Sequence, residues 1–208
     1  MKVIIIGATG TIGSLAVQQM LAEGHDVTAF SRNPSKLDAN DPCLTLLAGD
    51  VLNQEQVDAA VAGHDAVVIT LGNKSLTSPI RSKGTLSVIR AMQKAGVSRL
   101  ICQSTLGARE SWSNLNFFWK RIMFGGLLWV VFRDHELQEQ LVEASGLNWT
   151  IVRPGAFTDG PATGAFREAF SPSLRGLKLK ISRSDIANFL TRQLTDLSYA
   201  HRAVAISN

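Results

Sequence analysis

Three glycines near the start of the chain have a spacing that can bind phosphate. The stretch GATGTIG, residues 7–13, follows a short apolar run and leads into a segment with helical periodicity. In such a turn Gly7 allows the tight bend, Gly10 lets backbone N–H groups approach a pyrophosphate, and Gly13 lets the helix pack closely on the strand. The partial positive charge at the helix N-terminus adds to the attraction. The pattern predicts a dinucleotide-binding turn, with a purely structural turn as the alternative.

The residues after the second apolar run indicate which dinucleotide would bind. The stretch FSRNPSK, residues 30–36, supplies Ser31, Arg32 and Lys36 where an NAD site has an acid that accepts from the ribose 2′-OH. A hydroxyl and two cations suit a 2′-phosphate, which an acid would repel. Asp38 lies too far along the loop to take the ribose role. The sequence therefore predicts NADP(H), unless Arg32 and Lys36 are ordinary solvated charges.

The elements that must position these residues alternate between strands and helices. Short β-branched runs predict strands at residues 2–6, 26–30, 44–48, 66–71, 99–103, 148–154 and 203–206. Helices are predicted at residues 12–23, 53–62, 78–95 and 134–145, and from residue 184 onward. Asn53 is expected to cap the second helix, and Ser78 the third, with Pro79 in its first turn. The alternation predicts one α/β domain over residues 1–208, with a parallel, doubly wound sheet.

Composition narrows the possible partners. The net charge is +4, but no run of Lys and Arg exceeds two residues and the aromatic residues are not interleaved with basic ones, so we predict no nucleic-acid partner. Cys43 and Cys102 are too few and too far apart for a disulfide framework or a metal site, which fits a reducing, cytoplasmic location. The N-terminal apolar run leads directly into the glycine motif and is expected to be a buried strand, not a signal peptide.

An aromatic-rich segment, residues 112–132, needs a separate explanation. Its longest uninterrupted apolar run, residues 122–132, is much shorter than the ~20 residues of a membrane-spanning helix, so no span is predicted. The segment could form the lid or wall of a large apolar pocket, lie on a membrane surface, or form an interface. The protein could then be a monomer or a homodimer.

Six motifs together carry a resemblance to a known group of proteins. They are GATGTIG at 7–13, SR at 31–32, GDV at 49–51, TLGN at 70–73, CQS at 102–104 and SGLNWTIVRPG at 145–155. In this order and spacing they resemble the atypical short-chain dehydrogenases/reductases with a single NAD(P)-binding domain. Within that group the chain is most similar to the NmrA-like branch of biliverdin-IXβ reductase and flavin reductase. The resemblance covers nearly the whole chain and implies a Rossmann-like fold.

The resemblance also implies cofactor contacts at the matching positions. These would be Gly7, Thr9, Gly10, Thr11, Ile12 and Gly13 at the pyrophosphate, Ser31 and Arg32 at the 2′-phosphate, Asp50 and Val51 at the adenine, Leu71, Gly72 and Asn73 at the adenine-side ribose, and Ser104, Pro154, Gly155, Ala156 and Phe157 at the nicotinamide. Ser104 would also face the substrate. Alternatively, Asp50 could have a purely structural role, as a cap of the turn after the third strand.

The chain lacks the tyrosine that alcohol dehydrogenation and sugar epimerisation use in this superfamily. Those reactions need a Tyr and a Lys one helical turn apart, whereas Tyr199 is the only tyrosine here and Ala203 follows it by four residues. The helix where the pair would lie instead presents His135 and Glu139 on one face. His135 could donate a proton or bind a substrate carboxylate, or it could be inert.

A reaction that needs only positioned hydride transfer tolerates the missing tyrosine. Conjugated acceptors such as a flavin, a tetrapyrrole or a quinone-like molecule are of this kind, and the sequence predicts an NADPH-dependent reductase with Ser104 and His135 as candidate catalytic residues. The aromatic segment could wall the pocket, and acidic groups of the acceptor could meet one of four arginines: Arg109, Arg121, Arg167 or Arg175. The alternatives are a non-catalytic, NADP-sensing NmrA-like regulator and an epimerase or dehydratase.

Overall fold

Strands and helices alternate along most of the chain, and the computed structural model describes residues 1–38, 40–72 and 78–208. The strands are β1 (Lys2–Ile6), β2 (Asp26–Ser31), β3 (Leu44–Ala48), β4 (Ala66–Ile69), β5 (Arg99–Gln103), β6 (Asn148–Pro154), β7 (Ala156–Thr158), β8 (Arg167–Glu168), β9 (Lys180–Ser182) and β10 (Arg202–Ser207). The α-helices are α1 (Gly13–Ala22), α2 (Gln54–Val61), α3 (Ile80–Ala95), α4 (Trp129–Glu143) and α5 (Arg183–Arg192). The seven predicted strands are present within one or two residues of their expected bounds, whereas β7, β8 and β9 were not predicted.

The main sheet has eight strands in the order β3-β2-β1-β4-β5-β6-β10-β8. The first seven pair in parallel, which confirms the doubly wound α/β fold. The expectation of a wholly parallel sheet is corrected at one edge, where the two residues of β8 pair antiparallel with the end of β10. The chain winds from β1 outward to β3 and then returns to β4 on the other side of β1. Ligands of such sheets bind where the strand order reverses, at the carboxyl ends of the strands.

Helices cover both faces of the sheet, which explains why β1 is apolar at successive positions. Val3 and Ile5 pack in the cluster formed with α1 and α5, while Ile4 and Ile6 pack in the cluster formed with α2 and α3. All four side chains are fully buried. A strand covered on both faces has no solvent-facing positions, so it needs no polar residues.

The two predicted helix caps differ in outcome. The Asn53 side chain accepts a hydrogen bond from the Gln56 backbone N–H at 3.2 Å, as expected for an N-cap. The prediction for Ser78 is wrong, because Pro79 occupies the N-cap position of α3 and provides no side-chain cap. The first turn of α3 is instead capped by the carboxylate of Asp134, which reaches it from α4.

The aromatic-rich segment folds as a 3-10 helix (Arg109–Asn114) followed by a π-helix (Phe118–Leu127) that leads into α4. Its inner side chains form a third apolar cluster, in which the ring centroids of Phe124 and Phe132 are 4.8 Å apart. Its outer side chains, Phe117, Phe118, Ile122, Leu127, Trp129 and Val130, are exposed. Among the described residues, no helix is both long enough and apolar enough to cross a membrane.

Candidate active site

A long cleft with a volume of about 1050 Å³ opens along the carboxyl edge of the main sheet. Residues that follow five neighbouring strands line it: Gly7 after β1, Ser31 at the end of β2, Thr70 after β4, Ser104 after β5 and Pro154 at the end of β6. The cleft therefore crosses the point where the strand order reverses, between β1 and β4.

At Gly7 and Gly13 the glycine turn leaves no room for a side chain. Gly7 has a φ of +90°, and a Cβ added to it would lie 2.9 Å from the Thr70 carbonyl oxygen. A Cβ added to Gly13 would lie 2.4 Å from the Gly7 carbonyl oxygen. The backbone N–H groups of Thr11, Ile12 and Gly13 donate to no residue in the described part of the chain. This cradle at the N-terminus of α1 fits a pyrophosphate.

The β2 end of the cleft presents a hydroxyl and two cations. The Ser31 hydroxyl is buried and has no hydrogen-bond partner among the described residues. Arg32 is exposed beside it, and a short 3-10 helix (Pro34–Lys36) returns the chain so that Lys36 lines the same end. A buried hydroxyl without a partner needs one, and a phosphate oxygen would provide it. The residues present here fit a 2′-phosphate.

Asp50 caps a turn and also lies in the wall of the cleft. Its carboxylate accepts from the Leu52 backbone N–H at 2.9 Å, which caps the turn after β3. Asp50 and its neighbour Val51 also line the cleft.

Two further unpartnered polar groups lie at the ends of the central strands. The Ser104 hydroxyl and the Gln103 side-chain oxygen are buried and accept or donate no hydrogen bond within the described ranges. The Ser104 backbone N–H donates to the Val152 carbonyl at 2.7 Å, which holds the residue against β6. Gln103 was missed from the sequence, although it belongs to the CQS motif, because the motif gives no sign that this residue lines the cleft.

The cleft brings together most of the residues predicted to bind the cofactor. The predicted residues that line it are Gly7, Thr9, Gly10, Thr11, Ile12, Ser31, Arg32, Asp50, Val51, Leu71, Gly72, Ser104, Pro154, Gly155, Ala156 and Phe157. Gly13 does not line the cleft but packs against the Gly7 backbone. Asn73 lies outside the described residues.

The aromatic segment and α4 form the wall of the cleft beyond Ser104. Their side chains that line it are Leu115, Trp119, Phe124, Leu128, Val131 and His135. The four arginines expected to meet an acidic acceptor do not line this cleft, and Arg109 instead pairs with Glu143 at 3.5 Å. Among the described residues that line the cleft, the cations are Arg32, Lys36 and Arg81.

His135 is a neutral residue in this wall. Burial is the main cause that lowers the pKa of His135 to about 3. The positive charge of Arg81 lowers this pKa further, by more than the hydrogen bond with Gln138 raises it. The Gln138 amide nitrogen donates to Thr85 at 3.0 Å, so its oxygen accepts from His135 Nδ1 at 3.2 Å. Since a neutral imidazole carries one N–H, Nε2 bears a lone pair and accepts rather than donates.

Glu139, one helical turn beyond His135, takes no part in the cleft. It is fully buried and accepts two hydrogen bonds from Arg153, at 2.9 and 2.7 Å. Arg153 also donates to Glu110 at 2.5 Å. The group of three charges ties α4 to β6 and to the start of the aromatic segment.

The only tyrosine of the chain lies away from the cleft. Tyr199 packs against Phe189 with ring centroids 6.1 Å apart, and its hydroxyl donates to Glu168 at 3.3 Å. It is not among the residues that line the cleft. A tyrosine-mediated proton transfer is therefore not available there. Within residues 1–38, 40–72 and 78–208, no group of three or more His, Cys, Asp or Glu side chains is arranged to hold a metal ion.

A glycine cradle at the strand-order reversal of a doubly wound sheet defines a dinucleotide-binding α/β protein. The model of a family described as NAD(P)H-binding matches residues 7–197, and the chain belongs to this NAD(P)H-binding family.

Proteins similar to this chain have names that point to different activities. The uncharacterized sugar epimerase YhfK of Bacillus subtilis is 29% identical, over 98% of this chain and 92% of its own. A 3 beta-hydroxysteroid dehydrogenase/Delta 5→4-isomerase of Mycobacterium tuberculosis is 33% identical over 98% of this chain, which spans only 58% of that protein. Among solved structures, ChuY of Escherichia coli O157:H7, described as an anaerobillin reductase, is 24% identical. It superposes with a TM-score of 0.82 over 100% of this chain and 97% of its own, a likeness that establishes the fold.

Proposed function

We propose that the protein is an NADPH-dependent reductase that transfers hydride to a conjugated acceptor, such as a flavin or a biliverdin-like tetrapyrrole. The observation that carries this proposal is the long cleft. It joins the glycine cradle to an aromatic wall, while the only tyrosine lies elsewhere. An aromatic wall suits a planar acceptor, and the absence of tyrosine disfavours alcohol dehydrogenation and epimerisation.

The two ends of the cleft are far enough apart to hold an extended dinucleotide. The order β2-β1-β4-β5 separates Ser31 from Ser104 by three strand spacings, roughly 14 Å. Ser31, Arg32 and Lys36 would hold the 2′-phosphate at one end, which favours NADPH over NADH. Ser104 and Gln103, both with unpartnered polar atoms, would hold the nicotinamide end. Bound NADPH supplies the hydride.

The residues beyond Ser104 would orient the acceptor and exclude water. Trp119 and Phe124 present apolar surface to the cleft and could stack on a planar ring system. His135 would act as a hydrogen-bond acceptor through Nε2, because its pKa of about 3 leaves it neutral at physiological pH. The proton that completes the reduction would come from water or from the acceptor's own acidic group, not from His135.

The test is anaerobic oxidation of NADPH by the purified protein with FMN or biliverdin as acceptor. NADH is compared with NADPH in the wild type, in Arg32→Ala and in Arg90→Ala, a control on the exposed surface of α3. Loss of a charge-assisted phosphate contact should reduce the preference for NADPH by about 10- to 100-fold in Arg32→Ala only. No oxidation of NADPH with any conjugated acceptor would reject the reductase proposal. An unchanged NADPH preference in Arg32→Ala would reject the phosphate assignment.

A non-catalytic NADP sensor is the second candidate, because the outer face of the aromatic segment is apolar and exposed. Phe117 is 74% exposed and Leu127 is 66% exposed, and such surfaces often contact partners. Tight NADPH binding without turnover, together with a partner that binds this face only when NADPH is present, would favour the sensor.

A further inference from the structure

Arg81 is a buried cation in the cleft wall whose guanidinium is poorly partnered. The residue is 9% exposed and lines the cleft. Its Nε and Nη1 atoms are buried and hydrogen-bond to no residue in the described part of the chain. A buried guanidinium normally makes several hydrogen bonds, since leaving its donors unsatisfied is costly.

The nearest carboxylate is already committed to another task. Asp134 accepts from the backbone N–H groups of Arg81 and Ser82, both at 3.0 Å, and from the Ser82 hydroxyl at 2.5 Å. These bonds cap the first turn of α3, where a negative charge also offsets the helix dipole. The Arg81 Nη1 atom lies 3.8 Å from Asp134, too far for a hydrogen bond. The carboxylate therefore attracts the guanidinium without satisfying its donors.

Arg81 lies on the acceptor side of the cleft, not at the 2′-phosphate end. It follows β4 and is held beside Asp134 and His135 of α4. Leu128 at the N-cap of this helix and Val131 in its first turn line the cleft together with His135, at the spacing of successive helical turns. Arg32 lies at the end of β2, two strands from β4 in the sheet. The cleft thus has a separate cation near each of its ends.

We propose that Arg81 binds an anionic oxygen group of the acceptor, a carboxylate or a phosphate, and that the enzyme selects acidic conjugated acceptors. This inference rests on the proposed reductase function for the identity of the reaction, but the binding contact can be tested without turnover. An anion placed against Arg81 would supply the hydrogen bonds that Asp134 does not, in an apolar setting where such bonds are strong. The aromatic wall would hold the ring system while Arg81 fixes its direction.

The experiment compares acceptors that share a ring system but differ in charge. FMN is paired with riboflavin, which lacks the phosphate, and biliverdin is paired with its dimethyl ester, which lacks both carboxylates. For each pair, kcat/KM is measured in the wild type, Arg81→Met, Arg81→Lys and the surface control Arg90→Met. The affinity for NADPH is measured in parallel by fluorescence titration.

We expect the wild type and Arg90→Met to prefer the acidic member of at least one pair by about 10- to 100-fold. Arg81→Met should lose this preference with an unchanged affinity for NADPH, and Arg81→Lys should retain part of it. A fall in NADPH affinity in Arg81→Met would overturn the proposal, because Arg81 would then belong to the cofactor site. An equal loss for the acidic and neutral members of each pair would also overturn it.

A binding experiment distinguishes failure of the Arg81 proposal from failure of the proposed reductase function. If no acceptor is reduced, the same pairs are titrated against the complex of the protein with NADP⁺, with quenching of tryptophan fluorescence as the signal. Binding of the acidic member that Arg81→Met weakens at least 10-fold would support the anion site without any turnover. Binding that does not distinguish the members of either pair, or no binding at all, would overturn it.

Discussion

The two ends of the cleft are built in different ways. The end that we propose for the cofactor, called the cofactor end below, is built around closely packed backbone: Gly7 and Gly13 approach each other and Thr70 so closely that a Cβ on either would collide with backbone or side-chain oxygen. The end that we propose for the acceptor, called the acceptor end below, is formed by side chains of the aromatic segment and α4, which polar contacts hold between distant segments. Asp134 caps a helix that begins more than 50 residues earlier, and Arg153 joins Glu139 to Glu110.

We expect this difference to separate the part of the cleft that binds a shared cofactor from the part that determines the activity. A cradle made of backbone binds the same pyrophosphate whatever the neighbouring side chains are, so it suits a cofactor shared by proteins of many activities. A wall made of packed aromatic residues and a few buried charges can change its shape and chemistry through a small number of substitutions. We therefore expect substitutions at the acceptor end to leave the affinity for the cofactor unchanged. Substitutions at the cofactor end should leave the packing of the acceptor wall unchanged.

The largest effect on stability is expected from breaking the buried charge group of Glu139, Arg153 and Glu110, which does not line the cleft but ties α4, part of the cleft wall, to β6. Glu139→Gln keeps the shape of the side chain but leaves Arg153, whose side chain is 2% exposed, with Glu110 as its remaining carboxylate. Breaking one partner of a buried ion pair should lower the free energy of unfolding by about 3 kcal/mol or more. Chemical denaturation measures this change. The variant should still bind NADPH with nearly wild-type affinity under conditions where it remains folded.

The control for Glu139→Gln lies on the same helix. Glu136 pairs with Arg133 at 3.3 Å, and the side chain of Arg133 is 64% exposed. Glu136→Gln should change the free energy of unfolding by less than about 0.5 kcal/mol. Similar losses of unfolding free energy in both variants would mean that burial does not make the Arg153 group more stabilising than an exposed ion pair. A loss of NADPH affinity in Glu139→Gln would contradict the expectation that changes in the acceptor wall leave cofactor binding intact.

The cofactor end could be predicted from the sequence because its determinants are local. Gly7, Gly10 and Gly13 lie within seven residues, and their types state directly where side chains are excluded. Ser31 and Arg32 follow the second strand, where the parallel topology brings them to the same edge as the glycine turn. The bounds of the seven predicted strands and of most helices were predictable for the same reason, since periodicity is a property of short stretches. The prediction for α4 was wrong at its start, because the helix begins at Trp129 and not at residue 134.

The acceptor end could not be predicted in the same way because its contacts join residues far apart in the chain. Ser78 has the local signature of a helix cap, yet Asp134 from α4 caps α3 instead. Arg81 looks like any helix-surface arginine until the packing of α3 on α4 buries it. The π-helix also has no sequence signal that we could recognise, and it decides which aromatic side chains face the cleft.

A substitution in the glycine turn tests whether the cofactor end tolerates an added side chain. In Gly13→Ala the added Cβ would lie 2.4 Å from the Gly7 carbonyl oxygen and 2.8 Å from the Thr70 hydroxyl. Backbone cannot rotate away as a side chain can, so we expect NADPH affinity to fall by at least ~100-fold and the free energy of unfolding to drop by up to about 3 kcal/mol. Isothermal titration calorimetry and denaturation measure the two effects.

The control for Gly13→Ala is Gly126→Ala in the aromatic segment, where the added Cβ would approach the Arg121 carbonyl oxygen no closer than 3.9 Å. NADPH affinity should be unchanged in this control. Normal binding of NADPH by Gly13→Ala would mean that the glycine turn can shift to accommodate a Cβ. The proposed difference between a rigid backbone end and a variable side-chain end would then be wrong.

The smallest expected effect is a dependence of stability on pH that belongs to the acceptor end. Burial lowers the pKa of His135 to about 3 in the folded protein, whereas an exposed histidine of the unfolded chain titrates near 6.5. Between these values the unfolded chain binds a proton that the folded protein does not, so stability falls as the pH falls from about 6.5 toward 3. At pH 5 the loss should be about 2 kcal/mol, since each unit of pH below 6.5 contributes about 1.4 kcal/mol.

Replacement of His135 should therefore flatten the acid limb of the stability curve. His135→Gln is expected to lose about 2 kcal/mol less than the wild type between pH 7 and pH 5, while His201→Gln, at an exposed position, should follow the wild type. Denaturation at a series of pH values gives both slopes. An acid limb that is as steep in His135→Gln as in the wild type would show that His135 takes up its proton without unfolding. The acceptor wall would then open to water more readily than the packing of Gln138 and Thr85 around the imidazole indicates. The difference in rigidity between the cofactor end and the acceptor end would be larger than the structure suggests.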